Sequence, residues 1–403
     1  WSPDGSKLLF SGNDYAVRIW TKLVSYTAPD PKPIKDVIPL SDSSFIYGND
    51  SNGQPLVQTE GHGINYPNQV NVIDPQTEKI MYSAIFTFYL RNTTISPQGE
   101  VYVIDPDNVL WSVRTAKPIM ALGSISNHYP YSVIWRPDGQ AIATEYDLPL
   151  VAPLYNDRYV FTVKAFPSGT TLVQTTGSDQ WDYNGLGFGQ HFDVQHTVFT
   201  INRWSADGRF IALSTYLKPD TGYAGGNILL WDTQTNSFSP TFYAARLSAV
   251  GGSGGGAGIV DWSVNNQAMA IVSWDGFYYY HLHWDGNKLI PSLLWTQTTV
   301  TLRYVNPFGD INEAVSGGGG ASFSPDSRYF LYDGTIYDAV TGWPIFRFRN
   351  GLYITASYWH GNRLTVYQTG QANAQFGLST YEENIYSEDH ILTYRVSDFL
   401  PKS

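Results

Sequence analysis

The sequence predicts an all-β fold, a β-propeller of about eight four-stranded blades with seven as the alternative, filling residues 1–403 as one domain. Three observations carry the prediction. An aromatic turn motif recurs along the whole chain, a strand-plus-turn motif recurs between its copies, and segments of helical period are essentially missing.

The first motif is an aromatic residue, Ser-Pro-Asp-Gly and a short apolar run. It stands as Trp1-Ser2-Pro3-Asp4-Gly5, Ile95-Ser96-Pro97-Gln98-Gly99, Trp135-Arg136-Pro137-Asp138-Gly139, Trp204-Ser205-Ala206-Asp207-Gly208, Trp262-Ser263-Val264-Asn265-Asn266 and Phe323-Ser324-Pro325-Asp326-Ser327. Two weaker copies complete eight, one at Leu40-Ser41-Asp42-Ser43-Ser44 and one at Trp359-His360-Gly361-Asn362. Successive copies are 39, 55, 40, 69, 58, 61 and 36 residues apart, and the short steps match the roughly 40 residues of a four-stranded blade. The longer steps read as the same unit with insertions. Within the motif Pro presets φ, Asp bonds back to the backbone, Gly accepts positive φ, and the aromatic is expected to pack between blades.

The second motif is an alternating strand ending in a polar turn: Val17 to Trp20, Val70 to Asp74, Val109 to Val113, Ile228 to Asp232, Thr335 to Asp338 and Ile391 to Val396. These residues together resemble the WD40 repeat family, with the Trp-Ser-Pro-Asp-Gly turn between first and second strands and the alternating run as the third. The same turn also occurs in TolB-like and prolyl-peptidase propellers. The family's Gly-His dipeptide and buried Asp are missing from most units, so WD40-like is the description the residues support. The first copy lacks an inner strand before Trp1, and residues 398–403 read as the end of an outer strand. The missing strand is expected from upstream or from another chain.

First-to-second and third-to-fourth turns of a blade share one face, and here they read as uniformly short. The long insertions fall on the opposite face, as second-to-third loops at 50–68, 146–157, 217–226 and 369–389 and as blade-to-blade connections at 177–196, 248–258 and 298–320. Insertions gathered on one face mark a binding side. Their Gly, Tyr, Asn, Gln, Ser and Thr content suits protein or glycan contact, and Trp181, Tyr183, His191, His196, Tyr223, Phe376 and Tyr381 are the candidate contact residues. The glycine runs 251–256 and 317–320 carry no Lys and lead into no helix, so they do not read as phosphate loops.

Composition excludes several chemistries. A net charge of -11 with no basic block speaks against nucleic acid, strand-length apolar runs speak against membrane insertion, and zero Cys removes disulfides, thiolate metal sites and Cys nucleophiles. The scarcity of Met beside 29 Tyr and 13 Trp suits an oxidant-facing, exported or surface-displayed prokaryotic protein, with the cytoplasm as the alternative. The opening on Trp1 reads as a processed product or a fragment. His191 and His196 flank Asp193 without metal-ligand spacing, His281 and His283 share a solvated strand face, Asp105-Pro106-Asp107-Asn108 reads as a hairpin turn, and no nucleophile elbow is present.

The expectation is therefore a non-enzymatic scaffold without cofactor or metal, contacting a protein or a copy of itself. A carbohydrate-binding module using Trp181, Tyr183 and Tyr223 is the alternative. A propeller lyase or glycosidase acting through Asp179, Asp182 or His191 comes third, since no carboxylate pair can be placed at catalytic distance.

Overall fold

The computed structural model describes residues 7–11, 17–21, 32–33, 35–37, 44–46, 56–60, 68–74, 79–123, 133–148, 158–177, 197–217, 227–239, 242–243, 257–273, 276–285, 288–298, 301–305, 311–315, 322–332, 334–348, 354–368 and 390–399. Strands dominate, and no α-helix occurs among the described residues.

A hairpin of β1 (Lys7–Ser11) and β2 (Val17–Thr21) forms a two-stranded sheet and is followed by β3 (Lys35–Val37). Blade 1 is β4 (Ser44–Ile46), β5 (Leu56–Glu60), β6 (Asn68–Ile73) and β7 (Ile80–Phe86). Blade 2 is β8 (Asn92–Ile95), β9 (Val101–Ile104), β10 (Val109–Ser112) and β11 (Lys117–Ala121), and blade 3 is β12 (Val133–Trp135), β13 (Ala141–Leu148), β14 (Arg158–Ala165) and β15 (Thr171–Gly177). Blade 4 is β16 (Thr197–Trp204), β17 (Phe210–Leu217), β18 (Asn227–Asp232) and β19 (Ser237–Phe238), with β20 (Phe242–Tyr243) also on β18.

Blade 5 is β21 (Ala257–Trp262), β22 (Ala268–Ser273), β23 (Gly276–Asp285) and β24 (Lys288–Thr298). A two-stranded hairpin of β25 (Thr301–Val305) and β26 (Ile311–Val315) separates it in sequence from blade 6, which is β27 (Ser322–Phe323), β28 (Tyr329–Tyr332), β29 (Thr335–Asp338) and β30 (Pro344–Arg347). Blade 7 is β31 (Ile354–His360), β32 (Arg363–Gln368) and β33 (His390–Arg395), and its fourth strand is β3, with Lys35 opposite Thr393 and Val37 opposite Ile391.

The molecule is thus a β-propeller with, among the described residues, seven four-stranded blades plus the incomplete first unit, β1 and β2. First strands of consecutive blades approach one another from β8 through β12, β16, β21 and β27 to β31, which places them at the centre. Because β21 meets β27 directly, the β25–β26 hairpin is an insertion and not a blade.

The outer strand of blade 7 comes from β3 of the same chain, not from residues 398–403; Asp398 ends a 3-10 turn, Val396–Asp398. Blade 1 brings a second correction. Ser44, Phe45 and Ile46 form its first strand, so the copy at Leu40 to Ser44 leads into that strand instead of following it, and β5 lies inside the segment 50–68 expected to be a loop. Its first-to-second connection is 47–55 and its second-to-third only 61–67. The degenerate sequence there lacks the aromatic-Pro-Gly markers that fixed the register elsewhere.

Six apolar clusters sit in the seams between consecutive blades, from blades 1 and 2 to blades 6 and 7. Strand β17 shows why period two produces this. Ile211 and Leu213 face blade 3, while Phe210 and Ala212 face blade 5. Both faces of an inner sheet are buried, so the strand reads as nearly continuous apolar sequence. Trp231, on the third strand of blade 4, is fully buried in one seam. Burying a side chain of that size contributes about 4 kcal/mol.

The turn motif aligns the seams. Trp135 Nε1 donates to Thr94 Oγ1 (3.0 Å), Trp204 Nε1 to Ile134 O (3.4 Å) and Trp359 Nε1 to Ser322 O and Oγ (3.2 and 3.0 Å). Each indole thereby reaches the first strand of the preceding blade. The motif serine has a role the sequence reading did not assign. Ser205, Ser263 and Ser324 hydroxyls donate to Asp207, Asn265 and Asp326 and accept the backbone N–H of Phe210, Ala268 and Tyr329.

The fifth motif position has positive φ in the copies of blades 2 to 6, +69° at Gly208 and also +56° at Asn266 and +57° at Ser327. The two non-glycines are explained by their neighbours. Ala206 and Val264 occupy the third position, where Pro would have no N–H; their N–H groups are accepted by Asn266 Oδ1 (2.7 Å) and Ser327 Oγ (3.0 Å) of the next blade. Where the third position is Pro97 or Pro137, the next blade keeps Gly139 or Gly208 at the fifth. A missing Pro and a missing Gly therefore compensate across a seam.

Asn266→Gly should cost about 1 kcal/mol in urea melts by orphaning the Ala206 N–H, and the same change should cost clearly less when made together with Ala206→Pro; additive effects would refute the coupling. Trp359→Phe should cost about 1 kcal/mol more than Trp262→Phe, because both indoles are similarly buried but Trp262 Nε1 has no hydrogen-bond partner among the described residues.

Candidate functional site

Each blade is antiparallel in sequence order, so successive connections alternate between two faces. One face carries 96–100, 136–140, 205–209, 263–267 and 324–328 between first and second strands, and 113–116, 166–170, 233–236 and 339–343 between third and fourth. These are tight turns. The exception is 47–55 in blade 1, so this face is not uniformly plain as the sequence suggested. The opposite face receives 149–157, 218–226 and 369–389 within blades and 178–196, 244–256 and 299–321 between them.

The tight-turn face is closed by its own chemistry. Arg209 reaches back to Asp232 Oδ2 with Nε (3.0 Å) and Nη2 (2.5 Å), tying the two turns of blade 4. Arg114 and Glu100 do the same in blade 2 at 2.8 Å, and Arg136 pairs with Asp138 in blade 3 at 2.8 Å. Asp232 Oδ1 accepts the N–H of Gln234 and Thr235, and Asp338 Oδ1 those of Val340 and Thr341. Burial alone would raise the Asp232 carboxyl, but the Arg209 and backbone hydrogen bonds outweigh it and hold it below the ordinary carboxylate range. Asp138 is lowered by the same balance through Arg136 and Gln140.

At the centre, Asp261 on β21 connects three blades. Its Oδ1 accepts from Arg203 on β16 and from the Trp262 N–H, and its Oδ2 accepts the Phe323 N–H of β27 at 2.8 Å. Glu145, almost fully buried, accepts the Ile201 N–H at 2.6 Å and so links blades 3 and 4. The sequence reading missed both; their signal is an acid within an otherwise apolar strand, which needs a donor when buried. Burial pushes the Tyr102 and Tyr279 phenols up to about 12, aided by Glu100 and Asp338 respectively. Lys164 is half-buried and held below its ordinary range by burial; a Cβ on neighbouring Gly123 would lie 3.1 Å from its Nζ.

Of the sequence-predicted residues, Trp181, Tyr183, His191, His196, Tyr223, Phe376 and Tyr381 lie outside the described residues, as do Asp179 and Asp182. Their loops are rooted in described strand ends, 178–196 between β15 and β16, 218–226 between β17 and β18, and 369–389 on the paired Gln368 and His390. His281 and His283 are exposed on one face of β23 with rings stacked 6.4 Å apart. Asp105 forms the expected hairpin turn, its carboxylate accepting the N–H of Asp107 and Val109 and the Trp111 indole. Among the described residues no group of three or more His, Cys, Asp or Glu is placed to hold a metal ion, and no helix is long and apolar enough to cross a membrane.

No family model and no curated protein matches the chain. Among solved structures, the chain is similar to Kuenenia stuttgartiensis hydrazine synthase, at 11% identity over 84% of this chain and 79% of that one, with a TM-score of 0.40. It is also similar to KlHsv2 with loop 6CD replaced by a Gly-Ser linker, at 11% identity over 72% and 82% with a TM-score of 0.41.

The Asp232 bond implies a pH dependence with a definite sign. A carboxyl whose folded pKa lies below its unfolded value near 4 stabilises the fold above that pH and loses the contribution as pH falls through the folded value. Asp232→Asn should cost about 1–2 kcal/mol at pH 7. In thermal melts run downward from pH 7 the gap to the unaltered protein should shrink below about pH 4; a gap independent of pH would contradict this.

Proposed function

We propose that the chain is a WD40-like, non-enzymatic scaffold that contacts a protein partner through the face bearing the long connections, and that it is exported or displayed at a cell surface. The observation that carries this reading is the division between the faces. One is largely committed to tight turns and internal ion pairs, while most long connections open on the other. Trp181, Tyr183 and Tyr223 supply rigid amphipathic contact area, and the neutral loop composition disfavours an anionic ligand.

The test is affinity capture with mass spectrometry on three proteins: the unaltered chain, one with 178–196 and 369–389 replaced by short Gly-Ser linkers, and one carrying Gln98→Ala and Arg114→Ala on the tight-turn face. The partner should be lost from the loop variant and kept by the turn variant, with unchanged thermal melts showing that the blades are intact. The reverse pattern would refute the reading. A glycan-array signal that disappears with the loops, without any polypeptide partner, would shift it to carbohydrate binding.

A further inference from the structure

The rim of a propeller is a series of edge strands, whose outward N–H and C=O groups invite pairing unless something blocks it. Most of the rim here carries such blocks. Strand β11 has Lys117 and Pro118, β24 has Lys288 and Pro291, β30 has Pro344 and Arg347, β3 has Lys35 and Asp36, and β19 is two residues long. Strand β15 is uncharged but rich in the polar residues Thr and Gln, Thr171, Gln174, Thr175 and Thr176.

Strand β7 differs from all of these. Its sequence, Ile80-Met81-Tyr82-Ser83-Ala84-Ile85-Phe86, contains no charge and no Pro, and the uncharged run continues to Leu90. Tyr82, Ala84 and Phe86 turn into the seam with blade 2, while Ile80, Met81 and Ile85 are 57%, 56% and 60% exposed. Among the described residues β7 pairs with β6 alone. Exposed apolar side chains and a backbone edge with no further strand partner among the described residues therefore coincide on one strand.

We propose that two copies of this chain associate through β7, edge to edge and antiparallel, about a two-fold axis at Ser83. The pairing sets Met81 opposite the partner's Ile85 and Tyr82 opposite the partner's Ala84, joining two blades into one eight-stranded sheet. A second copy is the occupant because the strand matches itself when reversed. Apolar or aromatic residues meet at each pair on either side of Ser83, no like charges are brought together, and an isologous contact closes without leading to a fibre. The surface is on the rim, so the inference goes beyond the binding face proposed above.

Light scattering behind size exclusion should give twice the 45.0 kDa chain mass for the unaltered protein. Ile85→Lys should raise the dimer dissociation constant at least tenfold, and Leu172→Lys on β15 should leave it unchanged. Because the chain has no Cys, Ser83→Cys gives a single thiol at the two-fold axis. It should oxidise rapidly to a disulfide-linked dimer, whereas Leu172→Cys should not, and this decides the matter even if Ile85→Lys fails to fold. A monomer at every concentration, a dimer indifferent to Ile85→Lys, or a different polypeptide held on β7 would overturn the proposal. Replacing loops 178–196 and 369–389 should leave the dimer intact, so this inference and the loop-face reading fail separately.

Discussion

A twisted four-stranded sheet with apolar side chains on both faces cannot be stable in water unless those faces are covered, and in the six described seams the cover is the neighbouring blade. Everything else depends on those seams. Apolar burial supplies most of their energy, at several kcal/mol for a residue such as Trp231, against about 1 kcal/mol for an indole hydrogen bond. Burial is tolerant of sliding, however, and hydrogen bonds are not. The indoles of Trp135, Trp204 and Trp359 and the carboxylate of Asp261 therefore set the height and angle at which one blade meets the next. The exchange of Pro and Gly for Ala206 with Asn266, and for Val264 with Ser327, shows the same constraint working between turns.

This constraint divides the molecule functionally. Turns that carry seam contacts have little freedom to vary in length, because each holds its neighbour, and their charges are consumed in pairs such as Arg209 with Asp232. Connections on the other face can lengthen at small entropic cost, since loop closure grows only with the logarithm of length. The distribution of insertions is what a ring with one committed face permits.

Much of this was legible in the sequence because the seam contacts require particular residues. The repeated aromatic turn marked blades 2 to 6, and all five predicted third strands within the ring, at Val70, Val109, Ile228, Thr335 and Ile391, fall on β6, β10, β18, β29 and β33. Blade 1 was misread because neither the Leu40 copy nor the stretch after it, which holds Phe45 and Tyr47, repeats the aromatic-Ser-Pro-Asp-Gly turn. The partner of β33 was equally hidden, since a three-residue strand containing Lys35 and Asp36 has no periodic signal of its own. Asp261 and Glu145 were passed over because a buried acid is recognisable only when its inter-blade donors, which lie 56 to 62 residues away, are known. The loop residues lie outside the described residues, and their chemistry was read from composition alone.

The pairing of β3 with β33 also dictates an order of events during synthesis. Blades 1 to 6 can each assemble as their own strands leave the ribosome, but the ring stays open until the segment around Ile391 has been made, long after Val37 has appeared. For most of translation β3 has no mate. Its two charged residues suit that wait, because they make it a poor partner for any passing strand while leaving its backbone available to the one strand that completes the circle.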